Sequence, residues 1–126
     1  MSNTPFHLTY EETRKAARKA YLAGQLGANG KETSCQYHGS VAGLPCAIGA
    51  AMPEELRKSL AGINLNVVGV SNLKAEGIVT YTTDDAGKLE DLQILHDDVV
   101  RSRDNFGPDH EETRDAIVKF ELALGI

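Results

Sequence analysis

The sequence predicts an α+β domain in which three main helices pack around a small β-hairpin or short antiparallel sheet. Three observations lead there. Three stretches repeat apolar residues at helical spacing, each with a capping or acidic residue at its start. The two cysteines, Cys35 and Cys46, bracket a glycine-containing loop whose flanks suit a hairpin. The chain has 126 residues, 41% hydrophobic and 25% charged, which matches one ordinary globular domain. Residues 1–126 are read as a single compact domain, with residues 1–8 as a flexible N-terminal arm. With three Phe, four Tyr and no Trp, the core must be mostly aliphatic.

Each element has its own signal. After the arm, Thr9 and Glu12 form a capping-box pair, opening a helix over Tyr10 to Leu26 that Gly27 ends. Its Tyr10, Thr13, Ala17, Ala20, Tyr21 and Gly24 share a stripe of mostly small residues, which implies close approach to a neighbour. Asn29-Gly30 marks a turn. Cys35-Gln36-Tyr37 and Leu44-Pro45-Cys46-Ala47 then form the hairpin around Gly39 to Gly43, with Pro45 restricting its segment to an edge. Pro53 to Ala61 is a short helix whose acidic start suits the dipole, with Leu56 and Leu60 facing inward. Ile63, Leu65 and Val67 alternate with Asn64 and Asn66, and Gly77 to Thr82 is β-branched, so both read as strands around one helical turn at Ser71 to Glu76. Gly87 to Arg103 reads as the long helix, with Leu89, Leu92, His96 and Val99 on one face. Gly107-Pro108 breaks the chain. Asp109 with Glu112 then starts a terminal helix bearing Thr113, Ala116, Ile117, Phe120, Ala123 and Leu124 on one stripe.

Charge excludes some functions. The formal net charge is -5, from 13 basic and 18 acidic residues, so a duplex nucleic-acid partner is not expected. An acidic face that meets a basic protein partner is consistent with it. No stretch reaches the ~20 apolar residues that a membrane span needs. Met1 to Thr9 lacks the basic start and apolar run of a secretory signal, so the expected compartment is cytoplasmic, with reduced thiols. A Cys35–Cys46 disulfide would fit across a hairpin, but does not persist in a reducing compartment.

Four segments together resemble a family of small phage, prophage and bacterial proteins. They are Cys35-Gln36-Tyr37, Gly43-Leu44-Pro45-Cys46-Ala47-Ile48-Gly49, Met52-Pro53-Glu54-Glu55 and Leu92-Gln93-Ile94-Leu95-His96-Asp97. The family shows Cys-x-Tyr, Gly-x-x-Cys-Ala-Ile-Gly followed by Ile-Pro-Asp-Glu, and a later Leu-Gln-x-x-His-Asp. Order and approximate spacing agree over roughly Ala16 to Ile126. The chain departs from the pattern at His38, where an Arg often follows the Tyr, and at Met52-Pro53-Glu54. The resemblance implies a shared fold and a phage or prophage origin, and assigns no chemistry.

Three readings compete for the cysteine and histidine residues. Cys35, His38, Cys46 and His96 make a Cys2His2 donor set of the kind zinc prefers. Ten residues separate the cysteines, however, and neither has the Cys-x-x-Cys partner of a knuckle. Cys46, His96 and Asp97 supply the residue types of a thiol enzyme. Asp97 directly follows His96, so on a helix the two side chains diverge by about 100° and the carboxylate is poorly placed to orient the imidazole. The plain alternative makes both cysteines small buried hydrophobes and His96 a hydrogen-bonded core residue. On that reading Gln93, His96 and Asp97 form a polar latch onto the loop of Cys35, Tyr37 and Cys46, without cofactor or metal. The favoured function is a small non-enzymatic protein-binding or accessory module of phage type, counter-defence included. The alternatives are a metal-supported or thiol-based enzyme centred on Cys46 and His96, or a homodimer built on the small-residue stripe.

Overall fold

The computed structural model describes residues 4–29, 36–39, 43–66 and 68–126. Residues 1–3 of the arm, Gly30 of the turn, Cys35 and residues 40–42 of the hairpin, and Val67 lie outside them. Among the described residues the fold is mainly helical, and this corrects the α+β expectation. There are five α-helices, and the strands are one two-residue parallel pair rather than an antiparallel hairpin.

Within the segment read as an arm, β1 (Phe6–His7) pairs in parallel with β2 (Val79–Thr80), Phe6 opposite Val79. Phe6 N donates to Ile78 O at 3.0 Å and Leu8 N to Thr80 O at 2.8 Å. The pairing carries Leu8 into the core at 1% exposure. Helix α1 (Tyr10–Leu22) is capped by the Thr9 side chain, which accepts from Glu12 N at 3.2 Å. It ends at Leu22 rather than Leu26 because Gly24 takes φ 70°, open to a residue with no Cβ. Gly24 N bonds Tyr21 O at 3.0 Å and Gln25 N bonds Ala20 O at 2.8 Å, the pair of bonds that closes a helix over a left-handed residue.

The hairpin flanks run side by side without becoming strands. Cys46 N donates to Gln36 O and Gly39 N to Leu44 O, each at 2.9 Å. The pairing goes no further because Pro45 has no N–H and because the backbone of Tyr37 and His38 is spent elsewhere. Tyr37 N donates to Asn66 O at 3.0 Å, His38 N to Asn66 Oδ1 at 2.8 Å, and Asn66 Nδ2 to His38 O at 2.8 Å. After Cys46 the chain turns into a single 3-10 turn, Gly49–Ala51.

Helix α2 (Glu54–Gly62) explains the false strand signal after it. Asn64 sits at φ 63° and Leu65 N reaches back to Leu60 O at 2.9 Å, so the alternation of Ile63 and Leu65 belongs to a helix end. Helix α3 (Val70–Ala75) leads into β2. Helix α4 (Thr83–Phe106) starts earlier than Gly87, because Thr82 caps it by accepting from Asp85 N at 3.3 Å. Helix α5 (Glu111–Leu124) is capped by His110, whose Nδ1 accepts from Glu112 N at 3.1 Å. Helices α4 and α5 pack most extensively, and α1 lies across both and against the Gly49–Ala51 turn. Leu89, Leu92, His96 and Val99 of α4 meet Ala116, Phe120 and Leu124 of α5 in one buried core. Among the described residues no helix is long and apolar enough to cross a membrane.

Candidate functional site

The long helix α4 serves two environments, and its Gln93-x-x-His96 spacing puts one polar side chain in each. His96 points into the core at 0% exposure. Its Nε2 accepts from Ala28 N at 3.0 Å, and its ring meets Phe120 edge-on at 5.4 Å between centroids. Gly27 lies against the same ring, where a Cβ would come within 3.2 Å of His96 Cε1. Burial, helped by the Arg103 guanidinium, pushes the His96 pKa down to about 3. The imidazole is therefore neutral, and an Nε2 that accepts places the proton on Nδ1. The 3-10 turn Gly27–Asn29 is held from several sides. Gly27 N donates to Pro45 O at 2.9 Å, and Arg103 Nη1 donates to Gly27 O at 3.2 Å.

Gln93 faces the other way, into a cleft of about 310 Å³ between α4 and the segment around Val68 to Ser71. Its Oε1 accepts from Val70 N at 3.0 Å and its Nε2 donates to the Tyr37 hydroxyl at 2.9 Å. That hydroxyl donates in turn to Val68 O at 2.8 Å. The chain of bonds clamps the backbone on both sides of Gly69. Tyr37 is seated from below by Gly49, where a Cβ would lie 2.8 Å from Tyr37 O, closer than any side chain tolerates. Glu90, Ile94 and Asp97 extend the α4 wall beside Gln93. Cys46 reaches the cleft floor at 2% exposure, its Sγ accepting from Gly49 N at 3.4 Å. No Lys or Arg lines this cleft among the described residues.

The sequence-predicted site residues thus separate into groups. Tyr37, Cys46, Gln93 and Asp97 line one cleft, while the His96 ring is enclosed by Gly27, Ala28 and Phe120. Cys35 lies outside the described residues, and with it one member of both the latch and the Cys2His2 set. Among the described residues no three His, Cys, Asp or Glu side chains come together to hold a metal. His38 packs its ring against Gly43, with Nδ1 3.5 Å from Arg57 Nη1. A histidine titrating near 3 and accepting a backbone N–H is not a base for Cys46 at neutral pH.

Sequence reasoning missed Asn66, Val68 and Arg57. Arg57 Nη1 donates to Gly43 O at 2.9 Å and lies 3.5 Å from Tyr37 O, tying the two ends of the loop. An arginine on the inner side of a short helix, three residues after Glu54, was the available signal. No family model matches the chain, and no curated protein or solved structure matches it.

Proposed function

We propose that this protein is a small non-enzymatic binding module whose partner docks in the cleft between α4 and the Val68–Ser71 segment. The observation that carries the reading is the chemistry of that cleft: on its α4 wall the exposed Glu90 stands one turn from Ile94, which is 55% exposed, and no basic side chain lines it among the described residues. The Gln93–Tyr37 clamp holds the opposite wall in place before any partner arrives, which lowers the ordering cost of binding. The net charge of -5 favours a basic partner and speeds its approach. The likeness to small phage proteins supports an accessory role of phage or prophage type, counter-defence included, in a cytoplasm that keeps the thiols reduced. No cofactor enters this reading.

A peptide library selection on the immobilised protein tests it. Sequences enriched on the natural protein are expected to lose binding to an Ile94→Asp variant that still folds. Enrichment indifferent to that change would place the binding face elsewhere. The thiol-enzyme reading has its own test in a Cys35→Ser chain. Cys46, nearly inaccessible, is expected to resist alkylation at neutral pH until the protein is denatured. Rapid alkylation of the native chain would revive the enzyme.

A further inference from the structure

We propose that the protein pairs with a second copy of itself through the outer face of α1 and α5, about a two-fold axis perpendicular to that face. The pairing shares no residue with the cleft and does not depend on what binds there. It replaces the expectation of a dimer on the small-residue stripe, because Thr13 and Ala17 of that stripe are sealed inside the chain.

The two helices run in opposite directions. Arg14 Nη1 donates to Leu124 O at 3.2 Å near the end of α5. Tyr21, farther along α1, donates to Glu121 Oε2 at 2.8 Å and meets the Phe120 ring edge-on. Round α1, at about 100° per residue, Thr13 and Ala17 face the core, Arg14 and Tyr21 face α5, and Arg18 and Leu22 come next. Round α5 the order is Phe120 and Leu124, then Glu121, then Val118 and Leu122. In antiparallel neighbours that shared order turns both outer stripes to the same side. Leu22 follows Tyr21, so it lies within about a turn of Val118 and Leu122 across the helix pair. Leu22, Val118 and Leu122 are 63%, 54% and 69% exposed, so each leaves most of its apolar surface in water.

Charge names the occupant. Lys15 and Arg18 of α1 lie at one end of this apolar centre, and Glu111 and Asp115 of α5 lie at the other. Those acids stand about 14–20 Å along α5 from Leu124, the end beside Arg14. None of the four makes an ion pair among the described residues. The intervening opposite charges are occupied: Glu11 pairs with Arg14 at 3.4 Å, and Arg114 Nε donates to Asp109 O at 3.0 Å. Lys119 lines the α4–α5 groove with Asp98 and Glu112. A face basic at one end, aliphatic in the middle and acidic at the other is its own complement after half a turn. The rotation lays each basic end on the other copy's acidic end and closes the aliphatic centre on itself.

Sedimentation equilibrium at low salt, from micromolar to millimolar chain, tests the pairing. The natural chain is expected to dimerise reversibly, and the dimer to weaken as salt is added. Leu22→Gln with Leu122→Gln is expected to weaken it about tenfold or more. Lys15→Glu with Arg18→Glu, and separately Glu111→Lys with Asp115→Lys, should each weaken it by a similar factor, because each then sets like charges together. An equimolar mixture of those two charge variants is expected to regain dimers, seen by native mass spectrometry as mixed pairs, since every contact in a mixed pair joins opposite charges. Circular dichroism checks that each variant folds. If a double reversal does not fold, Lys15→Glu and Asp115→Lys as single changes carry the same comparison. A natural chain that stays monomeric at millimolar concentration would overturn the inference. A dimer indifferent to the charge reversals would place the contact elsewhere and overturn it too. Charge variants whose mixture stays monomeric would do the same. None of these outcomes bears on the cleft, which Ile94→Asp tests.

Discussion

Gln93 and His96 are neighbours on α4, less than one helical turn apart, and each does the same elementary job. Each accepts a backbone N–H from a distant segment at 3.0 Å, Val70 in one case and Ala28 in the other. Their surroundings differ. His96 is sealed between Phe120 and Gly27, and its neutral ring has no access to solvent. Gln93 is half-buried on an open wall, and its second polar atom passes the bond on to Tyr37 and so to Val68. A sealed acceptor fixes which turn packs against the helix. An acceptor on an open wall fixes the shape of an exposed surface. The comparison assigns His96 to the sealed core and Gln93 to the wall of the open cleft, although sequence spacing alone treats them as one motif.

The largest effect is expected at His96. Replacing it with alanine removes a fully buried ring and orphans Ala28 N, which together should cost about 3–5 kcal/mol in denaturant unfolding. A loss below about 1 kcal/mol would break the assignment. The pH dependence follows with a definite sign. The folded pKa is about 3 against 6.5 for the ordinary group. Between those values the unfolded chain binds the proton and the folded chain does not, so stability falls as pH drops from 6.5 towards 3. The slope from this one group is at most about 1.4 kcal/mol per pH unit. Above 6.5 it contributes no slope. In a His96→Gln chain, whose amide oxygen can still accept from Ala28, that portion of the slope should be missing. Equal slopes in both chains would contradict the sealed, neutral ring.

Gln93→Leu should cost less, about 1–3 kcal/mol, since it orphans Val70 N at a partly open position and leaves Tyr37 one hydrogen bond short. Tyr37→Phe should cost about 1 kcal/mol. Because both act through one chain of bonds, the double variant should lose less than the sum. Amide hydrogen exchange at Val70 should accelerate in Gln93→Leu and stay unchanged at Ala28. Acceleration at both amides would mean that α4 presents one face, not two.

Much of this was legible and some was not, for physical reasons. The α4 stripe of Leu89, Leu92, His96 and Val99 and the α5 stripe of Thr113, Ala116, Phe120 and Leu124 follow the helical period, and these residues are buried. Thr9 and Glu12 announce their cap because that signal is local. Thr82 and Asp85 carry a similar one, masked by Gly87 just inside the helix. Asn64 misled, because a left-handed residue between Ile63 and Leu65 imitates strand alternation. Val79–Thr80 falls within the β-branched Gly77 to Thr82 stretch that reads as a strand, but its parallel partner Phe6–His7 left no trace, since a two-residue strand is too short to show a period. In the site, the Gln-His spacing pointed to α4, but burial alone decides which side chain meets solvent.

Thr13 gives the comparison a third case and the smallest expected effect. Three polar residues are classed as buried among the described ones: Thr13, His96 and Thr113. The Thr113 hydroxyl donates to Gly107 O at 2.7 Å, and His96 accepts from Ala28, whereas Thr13 Oγ1 has no hydrogen-bond partner among the described residues. A buried hydroxyl without a partner forgoes its bonds to water and receives nothing in return. Thr13→Val keeps the branched shape and changes helix propensity little. It should therefore stabilise the chain by about 1 kcal/mol, raising Tm by a few degrees. Thr113→Val, which discards a made bond, should shift Tm the other way by a similar amount. Opposite signs for two threonines of equal burial would show that partnership, rather than polarity, decides what a buried group contributes. A destabilised Thr13→Val chain would mean that its hydroxyl is satisfied after all, and the contrast with His96 would lose its third point.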